Sequence, residues 1–66
     1  MRITVNGEQE EAPDGITLLD FIISRGLDPQ AVVAELDRDI ITADSFAQVR
    51  LAQGNTLELL QFVGGG

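Results

Sequence analysis

The sequence predicts an α+β domain of two layers, with one helix packed on one face of a small mixed sheet. Three observations predict it. Alternating apolar runs stand near both ends of the chain, Ile3 and Val5 at one and Leu57 and Leu59 at the other. The segment from Thr17 to Gly26 carries strong helical spacing with its own start and stop signals. Short polar turns separate the remaining apolar runs, giving the order hairpin, helix, strand, irregular segment, strand.

Residues 1–6 open the chain as a strand. Ile3 and Val5 point one way, Arg2 and Thr4 the other, which is the period of a half-buried strand. Asn6-Gly7 follows, and both residues tolerate positive φ, so a two-residue hairpin is expected. The returning strand, Glu8 to Ala12, is short and heavily charged, as suits an edge that must resist pairing with other molecules. Its three glutamates fit a solvated edge better than a cation site. Pro13-Asp14-Gly15 is a turn. Thr17 then caps a helix, with Asp20 three residues on as an acidic variant of the capping box. Leu18, Phe21, Ile22 and Arg25 share one side of this helix, and Leu19, Ile22, Ile23 and Gly26 overlap it, so the apolar stripe is broad. Gly26 fits the left-handed position that ends the helix, Leu27 folds back on the last turn, and Asp28-Pro29 confirms the stop.

Ala31 to Leu36 reads as the third strand, Asp37-Arg38-Asp39 as a polar turn and Ile40 to Thr42 as a short further strand. Residues 43–50 have weak helical spacing around Phe46 and Val49 and read as an irregular or single-turn plug for the end of the core. Asp37, Asp39 and Asp44 resemble a calcium loop only superficially: Ile41 sits where a third ligand belongs, and the turning point has no glycine. Gln53-Gly54-Asn55 is the last turn and Leu57 to Val63 the last strand. If Leu57 and Leu59 face the helix, Leu60 and Phe62 face outward beside the end of the chain. A small exposed pair of this kind is either ordinary surface or a docking strip for a partner.

The sequence has 66 residues and 44% apolar content, enough for one small core and one domain. Residues 1–63 make that domain and 64–66 a glycine tail. Such a short chain buries only about 60% of the surface exposed when unfolded, so close packing of Ile, Leu, Val and Phe must carry its stability. The formal charge of −7 argues against nucleic acid, because phosphate contacts need clustered Lys and Arg. It favours basic protein partners instead. No apolar run approaches a membrane span and no secretory signal is visible, so the expected setting is the cytoplasm, with no membrane partner.

Histidine, cysteine, lysine and tyrosine are all absent. Neither a nucleophile–base pair nor a thiolate can be built, so the chain is not expected to be an enzyme, and no catalytic residue or metal site is assigned. The chemistry that remains is that of the Gly66 α-carboxylate. Glycines gain little from packing and lose the most entropy on ordering. On composition alone, the run Gly64-Gly65-Gly66 divides evenly between ordinary terminal fraying and a thin arm for another protein's pocket.

The hairpin–helix–strand order, Gly54-Asn55 before Leu57-Glu58-Leu59, and the ending Phe62-Val63-Gly64-Gly65-Gly66 resemble the ubiquitin-like β-grasp sulfur carriers, and among them most the thiamine-biosynthesis sulfur carriers, the ThiS family. The resemblance covers essentially the whole chain; its specific part is the terminal Gly65-Gly66 together with the small size. Asn55 departs from the Asp common at that turn.

The resemblance implies a β-grasp fold with the first and last strands parallel in mid-sheet. It implies that a ThiF-like adenylating enzyme, related to ubiquitin-activating enzymes, uses ATP and Mg²⁺ to form an acyl-adenylate on Gly66, with Gly65 beside it in the active site. Sulfur from a cysteine desulfurase or another persulfide donor then gives a thiocarboxylate, delivered to thiazole synthase. No cofactor is expected on the chain itself. Leu60, Phe62, Val63 and Gly64 are the expected partner-docking residues. Carriers with the same tail also serve molybdopterin or tungsten cofactor synthesis and cysteine synthesis, and ubiquitin-like modifiers share it, so these alternatives stay open.

Overall fold

A computed structural model of the chain describes residues 1–62. Strand β1 (Arg2–Val5) buries Ile3 and Val5, as its alternation requires. Asn6 and Gly7 both take positive φ, 50° and 86°. That twist suits a two-residue hairpin. The chain returns as β2 (Glu8–Glu11), antiparallel to β1, from Val5 opposite Glu8 to Arg2 opposite Glu11. Ala12 falls outside the strand and is buried, its N–H donating to the Met1 carbonyl at 2.9 Å.

Helix α1 (Leu18–Ser24) starts where Thr17 Oγ1 accepts the Asp20 N–H at 3.1 Å. It ends in a Schellman arrangement: Gly26, at φ 76°, donates its N–H to the Ile23 carbonyl, and Leu27 donates to Ile22. Leu18, Phe21 and Ile22 are buried. Ile23 is not, being 54% exposed. The contacting stripe is therefore narrower than the sequence spacing predicts, because a helix of seven residues rests on the sheet along one line of i, i+3 and i+4 positions.

Asp28 accepts the Gln30 N–H and caps a 3₁₀ turn at Pro29–Ala31. That turn removes Ala31 from the predicted strand, and β3 spans Val32–Leu36. Asp37 and Arg38, at φ 49° and 76°, make a second two-residue turn. The turn brings Asp39 opposite Leu36, so β4 (Asp39–Ile41) begins one residue earlier than predicted. The 43–50 segment is a 3₁₀ turn at Ala43–Ser45 followed by irregular chain. Its Phe46 is fully buried, and the carbonyls of Phe46 and Val49 accept the N–H groups of Leu19 and Leu18. The plug thus supplies partners that the first turn of a helix cannot find within itself.

Strand β5 (Thr56–Gln61) runs between β1 and β3, parallel to the first and antiparallel to the second. The sheet order is β2-β1-β5-β3-β4, with the parallel pair in the middle as expected. β5 begins one residue before the predicted Leu57; its predicted last residue, Val63, lies outside the described residues. Leu57 and Leu59 join Ile3, Val5, Leu18 and Ile22 in the core between sheet and helix. No helix among the described residues is long and apolar enough to cross a membrane.

Candidate functional site

The site is built on β5, the last described strand. β5 is fixed at its start and near its middle by side chains that the turns place there. At its start, the Asp37 carboxylate accepts the Thr56 N–H at 2.8 Å and the Asn55 side-chain amide at 2.6 Å, while Asn55 Oδ1 accepts the Ala52 N–H. Further along, Asn6 donates its own N–H to the Leu57 carbonyl and accepts the Leu59 N–H on its Oδ1 at 2.8 Å. The last described tie is the Phe62 N–H to the Ala31 carbonyl, 2.8 Å.

The alternation read from the sequence holds. Leu57 and Leu59 face the helix, whereas Leu60 is 61% and Phe62 57% exposed. The structure adds two residues that sequence reasoning missed. Val33 stands opposite Leu60 across the β3–β5 ladder, and Ile40, on the neighbouring β4, is 62% exposed. A signal for each was present: Val33 lies between the inward Val32 and Ala34, and of two consecutive strand residues, Ile40 and Ile41, one must face out. Leu60, Val33 and Ile40 line a shallow depression of about 450 Å³ on the uncovered sheet face, with Glu35 and Glu58 at its sides. The predicted strip of two residues is therefore an apolar patch with an acidic rim.

Next to it lies a more polar depression lined by Glu35, Asp37, Arg38, Thr56 and Glu58. It holds no group of carboxylates placed to bind a cation: among the described residues no three acidic side chains stand close enough to share a metal ion. The remaining predicted site residues, Val63, Gly64, Gly65 and Gly66, lie outside the described residues. Chemically, the described surface can bind a partner with an apolar centre and basic margins.

Comparison with known proteins bears on what this surface serves. The family model described as the ThiS family matches residues 2–66. The sulfur carrier protein ThiS of Bacillus subtilis is 32% identical over 50 residues, covering 76% of either chain. A thiazole synthase of Paramagnetospirillum magneticum is 32% identical over the whole of this chain, and one of Magnetococcus marinus 30%. The chain spans only 20% of the length of each of those two relatives. The crystal structure of a thiamine biosynthesis protein (ThiS) from Geobacter metallireducens superimposes with a TM-score of 0.85 over the full length of both chains, at 23% identity. The shared fold is thus a β-grasp, a five-stranded mixed sheet with one helix across it.

Proposed function

The chain belongs to the ThiS family, and from that premise we propose that it is a sulfur carrier of thiamine biosynthesis, working in the cytoplasm, whose cargo rides on the Gly66 carboxyl group. A carboxylate is a poor electrophile until one oxygen becomes a good leaving group. A ThiF-like adenylating enzyme supplies this with ATP and Mg²⁺: a Gly66 oxygen attacks the α-phosphorus, pyrophosphate leaves, and an acyl-adenylate forms. A persulfide from a cysteine desulfurase or a similar donor attacks the acyl carbon and AMP leaves. A thiol then takes the donor's remaining sulfur as a disulfide, and the thiocarboxylate is left on Gly66. Thiazole synthase is the acceptor. The absence of side chains at Gly65 and Gly66 lets this end enter a narrow active site.

The observation that carries this reading is the exposed apolar patch of Leu60, Val33 and Ile40, with Leu60 on the strand that precedes the terminal glycines in sequence. Phe62, 57% exposed, belongs to the same docking surface, and Val63 and Gly64, next in sequence, are its proposed continuation. The name of the Bacillus relative supports the cargo. The thiazole synthases, which contain a segment similar to this whole chain, support the acceptor. The test is the intact mass of the chain after incubation with the adenylating enzyme of its own host, ATP, Mg²⁺, cysteine and a desulfurase. The expected result is the mass gain of one oxygen replaced by one sulfur, located at Gly66. Unchanged mass with every adenylating enzyme of that host would overturn the reading, and a lysine conjugate ending in Gly66 would replace it with that of a protein modifier.

A further inference from the structure

The hydrogen bonds along β5 alternate between its two flanks, as an antiparallel ladder requires. Asp37 donates to the Thr56 carbonyl and Phe62 donates to the Ala31 carbonyl, so the even-numbered residues turn their main-chain groups toward β3. Residues 57, 59 and 61 therefore turn theirs toward β1. There the Leu57 carbonyl is met by the Asn6 N–H and the Leu59 N–H by Asn6 Oδ1. β1 ends at Val5, and the Asn6-Gly7 turn takes the chain away. Beyond that point the Leu59 carbonyl and both main-chain groups of Gln61 have no hydrogen-bond partner among the described residues. The last stretch of β5 is covered by β3 on one flank and open on the other.

Open strand edges are places where another chain can add, and folded proteins usually block them. The two outer edges of this sheet are blocked: β2 carries three glutamates in four residues, and β4 is three residues long. The open flank at Gln61 carries neither charge nor proline. Beside it is a depression of about 420 Å³ lined by Asn6, Arg25, Leu27, Leu59 and Gln61. Arg25 stands at its wall, its guanidinium bound to Glu10 at 2.7 Å and lying over the Phe21 ring.

We propose that the adenylating partner adds a short extended segment to this flank, using the Leu59 carbonyl and the Gln61 N–H and carbonyl as a main-chain rung. This is strand addition, with the hydrogen bonds supplying affinity and alternate side chains supplying specificity. One side chain of the added segment, uncharged and of moderate size, enters the depression against Leu27; its neighbour lies on the outer face beside Leu60. A second copy of this chain is a poor occupant. A net charge of −7 on each copy opposes association, and a rung of two residues is too short to hold a dimer alone. The adenylating partner must in any case receive the residues that follow Gln61. A rung there and the patch on the outer face give the partner two contacts on the strand that precedes those residues in sequence. This inference rests on the carrier reading above.

The test compares Gln61→Pro with Gln61→Ala, and measures amide exchange on the parent chain. The Gln61 N–H bonds to nothing within the described fold, so proline there removes an outward donor at a position where strands tolerate it. Gln61→Ala keeps that donor. With both variants folded and sharing the loss of the Gln61 side chain, Gln61→Pro is expected to be adenylated with a KM about tenfold above that of Gln61→Ala, the equivalent of one main-chain hydrogen bond. In the parent, the Gln61 amide exchanges fast in the free chain and is protected in the complex. Equal KM for the two folded variants, or a Gln61 amide that exchanges as fast in the complex as outside it, would overturn the proposal while leaving the carrier reading intact. A parent chain that is never adenylated brings down the carrier reading and this inference with it.

Discussion

Val33 and Leu60 face each other across the β3–β5 ladder on the side of the sheet that no helix covers, 36% and 61% exposed. Cross-strand neighbours on one face act as a unit, so a binding surface built on Leu60 includes Val33 and reaches Ile40 on the next strand. Leu60→Asp and Phe62→Asp should each weaken binding of the adenylating enzyme by about 2 kcal/mol or more, as for central interface residues. Ile40→Asp should weaken it by less, because Ile40 lies at the margin. All three point to solvent, so the unfolding midpoint of each variant should stay near that of the parent. Titration calorimetry against the adenylating enzyme, paired with denaturant unfolding, checks both halves.

The patch sits on β5, and β5 keeps its place partly through Asn6. This residue supplies a left-handed turn, a main-chain donor to Leu57 and a side-chain acceptor for the Leu59 N–H. Asn6→Gly keeps the turn and the donor and removes only the acceptor. It should cost about 1 kcal/mol, the net worth of one hydrogen bond, plus a fraction for glycine's added unfolded freedom. Asn6→Val should cost more, because a β-branched residue resists positive φ. Urea unfolding of the two variants separates the hydrogen bond from the turn.

How far the sequence reveals this architecture depends on the range of the interactions involved. The Asn6-Gly7 hairpin, the Thr17 cap and the Gly26 stop are set by neighbours a few residues apart, and each stands where the sequence places it. The outward pair Leu60 and Phe62 follows from strand alternation alone. Val33 and Ile40 become part of the same surface only once β3 and β4 pair, a contact between segments distant along the chain. The exposure of Ile23 is likewise set by how a short helix lies on the sheet, which helical spacing does not specify. The open flank at Gln61 depends on where β1 stops relative to β5, a register that no local pattern encodes.

The tail offers a separate test. The described core and ties run only as far as Phe62, and a terminal glycine has no side chain to pack. Deleting Gly66 should abolish acyl-adenylate formation, because the group to be activated is then one residue, roughly 3.5 Å, short of where the partner expects it. The same deletion should leave the thermal midpoint unchanged. Pyrophosphate release and differential scanning calorimetry on the truncated chain read the two effects independently.

The Asn55–Asp37 pair gives a substitution whose outcome the sequence alone would misjudge. Against the Asp common at this turn among the carriers the chain resembles, Asn55 looks like a small change in a loop. In the structure its amide is a donor to the Asp37 carboxylate at 2.6 Å, and that carboxylate also accepts the Thr56 N–H that starts β5. Asn55→Asp keeps the shape and the acceptor for Ala52 but replaces a donor with a second negative charge facing Asp37. The lost hydrogen bond to a charged group, together with repulsion between neighbouring carboxylates, should cost about 1–3 kcal/mol in this partly solvated turn. Asp37→Asn in the same chain removes the repulsion and can restore a donor, so the double variant should recover part of the loss. A double-mutant cycle by urea unfolding measures that coupling; additive losses would mean that Asn55 and Asp37 stabilise the start of β5 independently.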